Sequence, residues 1–131
     1  MTAGRDSITV RELNDDTALG IAMRVAGGRS GLDRRIRSTR IQKSGLALAG
    51  HFHGIDTGRI QILGMTELTF LRELKPERCR LAVRRFFELD LCCVIVTDSD
   101  KSMEGPAADA LVECADDLET PLLLSPERSS R

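Results

Sequence analysis

"RIQILGMTELTFLRELKPERCRLAVRRFFELDLCCVIVT", residues 59–97, is the stretch whose reading decides the fold. Its first five residues, Arg59 to Leu63, alternate and include β-branched isoleucines, the pattern of a strand. Leu68, Leu71 and Leu74 then recur at helical spacing, and Thr66 stands where it can cap that helix. Pro76 interrupts the run and suits the first turn of a second helix. There Cys79, Val83 and Phe86 form an apolar stripe, while Arg80, Arg84 and Glu88 line the other side. Cys92 to Thr97 is a continuous apolar run of strand length, as expected of a strand covered on both faces. Two strands joined through helices predict a parallel pair with a right-handed crossover.

Beyond this stretch the acidic loop "DSDKSMEG" leads to Pro106, which opens a helix carrying Ala107, Leu111, Cys114 and Leu118 on one stripe. "TPLLLS" then reads as a short strand. The order is strand, helix, helix, strand, helix, strand. The predicted fold class is α/β: a mostly parallel sheet with helices packed on its faces in three layers, residues 1–131 forming a single domain. Toward the amino terminus the pattern is weaker. A short helix is expected near "TVRELND", a strand near "LGIAMRVAG", and a turn at "GGRSG", whose spacing does not fit G-x-G-x-x-G. The polar "SPERSSR" at the far end reads as a domain edge or the start of a linker.

Composition narrows the function classes. With 131 residues, 41% hydrophobic and 30% charged, the chain has the size and balance of one globular domain. It contains no Trp or Tyr and only four Phe, which removes the usual platforms for stacking bases or sugars. The 19 basic and 20 acidic side chains give a net charge of −1, so no overall field draws the molecule to nucleic acid or to a membrane. Neither a signal peptide nor an 18-residue apolar run is present, and a cytoplasmic location is expected. The cysteines at 79, 92, 93 and 114 form no C-x-x-C pair. Adjacent strand residues point to opposite faces, so Cys92 and Cys93 are poorly placed to share a metal, and buried free thiols are expected.

Four features could carry chemistry. "GLALAG", Gly45 to Gly50, has the length of a phosphate-binding loop, but His51 and Phe52 occupy the lysine and hydroxyl positions, and no apolar strand is evident before it. The arginines at 29, 34, 35, 37 and 40, with Lys43, form a basic patch opposed only by Asp33. A solvated face or a subunit contact is the plain reading of Arg34, Arg35, Arg37 and Arg40, and an anion contact the functional one. His51 and His53 share a face if the chain is extended there, with Asp56 nearby, yet the chain holds no further histidine and exposed loop residues are expected. Asp98, Asp100 and Ser102 match the first ligand positions of a calcium loop, but Met103 stands where glycine is needed and Asp109 where glutamate is needed. What remains is Asp98 just past the carboxyl end of a parallel strand, a common ligand position in α/β sheets. No Ser-His-Asp arrangement can be placed, and no catalytic, cofactor-binding or metal residue is assigned.

In order along the chain, "ITVREL", "GLDRRI", "RIQKSGLALAG", "RIQILGMTELTFL", "VIVT" and "TPLL" resemble the N-terminal domain of the bacterial HPr(Ser) kinase/phosphorylase family, over Ile8 to Leu124. The family joins an N-terminal α/β module to a C-terminal kinase domain with a phosphate-binding loop. The whole protein phosphorylates a serine of the phosphocarrier HPr and removes that phosphate, in carbon catabolite regulation. The resemblance implies that this chain corresponds to the first module, so the family's catalytic residues, ATP and magnesium have no counterpart positions here. It further implies its own C-terminal kinase domain and homo-oligomers as partners, and a fold similar to the N-terminal substrate-side domain of the ligases that build peptidoglycan precursors. Family members often have proline where Ser44 stands and an aromatic and acidic segment in place of "HFHGID". The expected function is a non-catalytic assembly or regulatory module; the alternative is a small-ligand sensor domain.

Overall fold

The computed structural model describes residues 8–15, 23–43, 45–50, 54–99, 103 and 105–126. Strands are β1 (Ile8–Thr9), β2 (Arg24–Gly27), β3 (Arg35–Ile36), β4 (Ser38–Lys43), β5 (Arg59–Leu63), β6 (Cys93–Val96) and β7 (Leu122–Leu124). Helices are α1 (Val10–Asp15), α2 (Gly45–Leu48), α3 (Met65–Glu73), α4 (Pro76–Phe87) and α5 (Gly105–Asp117). The main sheet has the order β2-β7-β6-β5-β4, with β4 to β7 parallel and β2 antiparallel to β7. The predicted order through residues 59–124 is the one observed.

Alternation along the central strands sorts the core into two sides. Leu63, Val94, Val96, Leu122 and Leu124 face α2 to α5, while Ile60, Ile62, Cys93, Ile95 and Leu123 face the amino-terminal segment. Both sides are buried, so β6 and β7 read as unbroken apolar runs. The one-sidedness of the helices follows from the strand order. The chain steps β4, β5, β6, β7 in one direction across the sheet, and right-handed crossovers taken in one direction all land on one face. The other face is covered by α1 and the antiparallel ribbon of β1 and β3, with Ile8 opposite Ile36. Three layers are present, but α1 is the helix on that second side.

Local chemistry explains the element ends. The amino end of α3 is capped not by Thr66 but by Glu67, whose Oε1 accepts the Gly64 N–H at 2.6 Å. A carboxylate in the first helical turn reaches back to the free backbone donors, and Thr66 already lies inside the helix. Pro76 opens α4 as predicted, and Cys79, Val83 and Phe86 are buried. Arg80 approaches Glu113 at 3.8 Å and Arg84 pairs with Asp117 at 2.9 Å. The two pairs keep the same sequence offset, so α4 and α5 run side by side in the same direction, as two successive crossovers require.

Two further expectations are corrected. Cys92 and Cys93 belong to one apolar cluster rather than opposite faces, because Cys92 precedes β6 and escapes its alternation. All four cysteines are buried free thiols. A strand also does precede "GLALAG": β4 is polar because it lies at the sheet edge, where polar side chains discourage unwanted pairing. The "GGRSG" run forms a short 3₁₀ turn over Arg29–Gly31. A Cβ on Gly28 would stand 1.9 Å from the Thr120 carbonyl oxygen, so this turn closes directly on the chain entering β7.

Candidate functional site

The basic patch of the sequence is divided by the fold. Along the extended chain through β3, Ile36 is buried at 3% exposure, and Arg35 and Arg37 point the other way into solvent. They line an open cavity of about 400 Å³ together with Arg34. The rest of its wall is Thr57 and Gly58, just before β5, and Asp90 and Cys92, just before β6. All of these lie at the amino end of the parallel strands.

Arg34 has a structural task. Its Nη1 donates to Asp90 Oδ1 at 2.7 Å and to the Leu91 carbonyl at 2.8 Å, and its Nη2 donates to the Leu118 carbonyl at 3.0 Å. One guanidinium thus ties the chain leaving α4 and the chain leaving α5 to the segment before β3. A cation at helix carboxyl ends also opposes the partial negative charge there. Asp90 adopts a left-handed φ of 62°, a conformation that aspartate tolerates better than most residues.

The loop carrying Thr57 and Gly58 is held from below. Asp56 Oδ1 accepts the Gly58 N–H at 3.0 Å, a side-chain-closed turn, and Asp56 Oδ2 lies 3.3 Å from Arg59 Nε. Gln61, fully buried, donates through Nε2 to Gln42 Oε1 at 3.1 Å and to the Asp56 carbonyl at 3.0 Å. Gln42 in turn donates to the Gly54 carbonyl at 2.8 Å and accepts the Asp56 N–H at 3.0 Å. Buried amide groups must be partnered, and here the partners are the backbone of one loop. Arg37 completes the connection, its N–H donating to the Gly58 carbonyl at 2.8 Å.

Cys92 borders the cavity without becoming a nucleophile. Burial pushes its thiol up to about 11, outweighing the opposite pull of Arg34 and Arg37, and its Sγ donates to the Arg59 carbonyl at 3.3 Å. At neutral pH it is an uncharged thiol. Among the described residues no group of three or more His, Cys, Asp or Glu side chains could hold a metal ion.

Of the residues singled out in the sequence, Arg34, Arg35 and Arg37 are brought together. Arg40 is carried by β4 within the register shift between Ser38 and Ile41. His51 and His53 lie outside the described residues. Asp98 follows β6 at the opposite, carboxyl end of the sheet, half-buried and with a φ of 51°. Sequence reading missed Thr57, Gly58, Asp90 and the two glutamines. The Asp56-Thr57-Gly58 turn is a recognisable Asx pattern, whereas Asp90 and Gln61 carry no local signal.

Comparison with known proteins adds the following. The family model described as "HPr Serine kinase N terminus" matches residues 8–131. The HPr kinase/phosphorylase of Geobacter sulfurreducens is 33% identical over 124 residues, which is 95% of this chain and 37% of that protein. That of Stenotrophomonas maltophilia is 30% identical over 122 residues, 93% of this chain and 37% of that protein. That of Leptospira biflexa is 36% identical over 81 residues, 62% of this chain and 25% of that protein. The chain thus spans little more than a third of the length of the curated relatives it matches.

Proposed function

The chain belongs to the HPr serine kinase N-terminus family, and from that premise we propose that it is a non-catalytic assembly or regulatory module of an HPr(Ser) kinase/phosphorylase acting in the cytoplasm. The observation that carries the reading is the coverage: 95% of this chain aligns with 37% of a relative named for its kinase and phosphorylase activity. In this reading ATP, magnesium and the serine of HPr are handled by the part of the relatives outside the match. The module's partners are its own kinase domain and further copies of the protein. The likeness expected to the substrate-side domain of peptidoglycan-precursor ligases belongs to the same proposal, as a sign of binding ancestry.

The local structure is consistent with this division. The first four residues of "GLALAG" form the helix α2 itself, not a loop ahead of a helix, and the segment is followed by His51 and Phe52, without the lysine and hydroxyl that a phosphate-binding loop needs. Calorimetric titration with magnesium-ATP tests the proposal. The expected outcome is no saturable binding up to about 1 mM, a dissociation constant worth only about 4 kcal/mol. Tight binding that persists in an Arg37→Ala variant, where the arginine cavity is disabled, overturns it.

A second reading, a small-ligand sensor, is favoured by the arginine-lined cavity itself. The two readings are compatible, because a regulatory module can respond to a small molecule.

A further inference from the structure

We propose that the groove between α2, α3 and α4 docks an amphipathic helix of a partner protein, an apolar seam edged by carboxylates, with Leu81 at the contact and Arg78 and Arg85 on the rim. An incomplete helical layer is the first argument. α2 is a single turn of four residues, about 6 Å long, beside the twelve residues and about 18 Å of α4. On its other flank α4 is covered by the thirteen-residue α5. The flank toward α2 is left as an open groove walled by Leu48, Phe70, Leu74 and Ala82. Beside it stands Leu81, the large apolar side chain that remains exposed among the described residues, at 50%.

Charge is the second argument, because the arginines of α4 are not equivalent. On the α5 side, Arg80 and Arg84 meet Glu113 and Asp117 at 3.8 and 2.9 Å. On the groove side, Arg78 and Arg85 are exposed, and neither forms an ion pair among the described residues. They stand two helical turns apart with Leu81 between them. Each flank of α4 thus offers a pair of arginines along an apolar seam, and α5 completes one flank with carboxylates. A helix with carboxylates two turns apart beside its own apolar seam completes the other.

Size and symmetry select the occupant. About 220 Å³ lies below the range of small-molecule sites and suits a few aliphatic side chains of a larger partner. A second copy seated face to face does not fit. A twofold axis at Leu81 sets Arg78 of each copy against Arg85 of the other, like charge against like. The occupant is therefore a different, acidic surface. This proposal goes beyond the module reading, which does not depend on the groove.

A helical peptide with leucines at i, i+3 and i+7 and glutamates two turns apart on one flank, titrated into the 131-residue chain, tests the proposal by fluorescence anisotropy and amide NMR shifts. The expected result is saturable binding with shifts concentrated at Ala49, Gly50 and Leu81. Leu81→Asp, or the double charge reversal Arg78→Glu with Arg85→Glu, weakens it about tenfold or more. The same peptide with lysines in place of the glutamates binds the unaltered chain about tenfold more weakly. It binds the charge-reversed variant more tightly than the unaltered chain, which also shows that the variant is folded. Arg11→Ala, in α1 on the opposite face of the sheet, leaves affinity unchanged. Four results would overturn the assignment: no saturable binding, an equal loss in Arg11→Ala, no preference for glutamate over lysine, or a dimer in sedimentation that Leu81→Asp dissociates, which gives the groove to a second copy. Magnesium-ATP binding bears on the module reading alone, so the two proposals fail separately.

Discussion

Arg34, Arg35 and Arg37 are three like residues within one short segment, and their surroundings give them different work. Arg34 meets two backbone carbonyls and a carboxylate, so its charge is consumed in holding chain ends together. Arg35 and Arg37 flank a buried isoleucine and keep their guanidinium groups at the surface. Cys92, beside them, allows a pH prediction. Its folded value is raised to about 11 from an ordinary value of 9.0, and burial raises Cys93 still further. Below about pH 9 both states hold the proton, and the stability contribution is fully present. Between about pH 9 and 11 the unfolded chain releases a proton that the folded chain retains, so stability falls as pH rises. Denaturant unfolding at several pH values should show this decline, and Cys92→Ala should make it shallower. An equally steep decline in that variant would remove Cys92 as a source.

Among the elements, the 3₁₀ turn at Arg29–Gly31 shows how a weak local signal can rest on a strict tertiary contact. Gly28 has a φ of 65°, its N–H donates to Asp116 Oδ1 at 2.7 Å, and the Thr120 carbonyl fills the space where a side chain would go. Gly28→Ala therefore combines an unfavourable backbone conformation with a collision against main chain. We expect a loss of roughly 2–4 kcal/mol in unfolding free energy. Gly50→Ala is the control, since Gly50 also has a positive φ, 98°, but faces open space. It should cost only about 1 kcal/mol. Equal losses at the two positions would show that the contact with Thr120 contributes nothing.

At the scale of the whole molecule, β7 joins what the chain order keeps apart. It pairs with β6 in parallel and with β2 in antiparallel fashion, and β2 has no other strand partner among the described residues. Its Leu122, Leu123 and Leu124 contribute to both sides of the core. Deleting residues 119–131 should abolish cooperative thermal unfolding, because it removes an interior strand rather than an edge. A truncated chain that still melts in a single sharp transition would contradict this placement.

Residues 59–124 could be read without a structure because each element there has its own periodicity and its own break: alternation in Arg59–Leu63, an apolar stripe after Pro76, an unbroken run at β6, a second stripe after Pro106. Those signals also imply the single helical face, once right-handed crossovers are applied to strands taken in one direction. The polar edge strand β4 was invisible because an edge needs no apolar pattern, and Thr66 was misread because the competing cap, Glu67, becomes visible only in the geometry at Gly64. The arginine patch was legible as charge alone. Separating Arg34 from Arg35 and Arg37, and placing Asp90, Thr57 and Gly58 opposite them, required the ends of α4 and α5 and the turn before β5 to meet in space. Spacing and local breaks determine which elements form along residues 59–124. Only tertiary contact decides which charges are satisfied within the fold, as Arg34 is by Asp90 and two backbone carbonyls that lie far from it in the sequence.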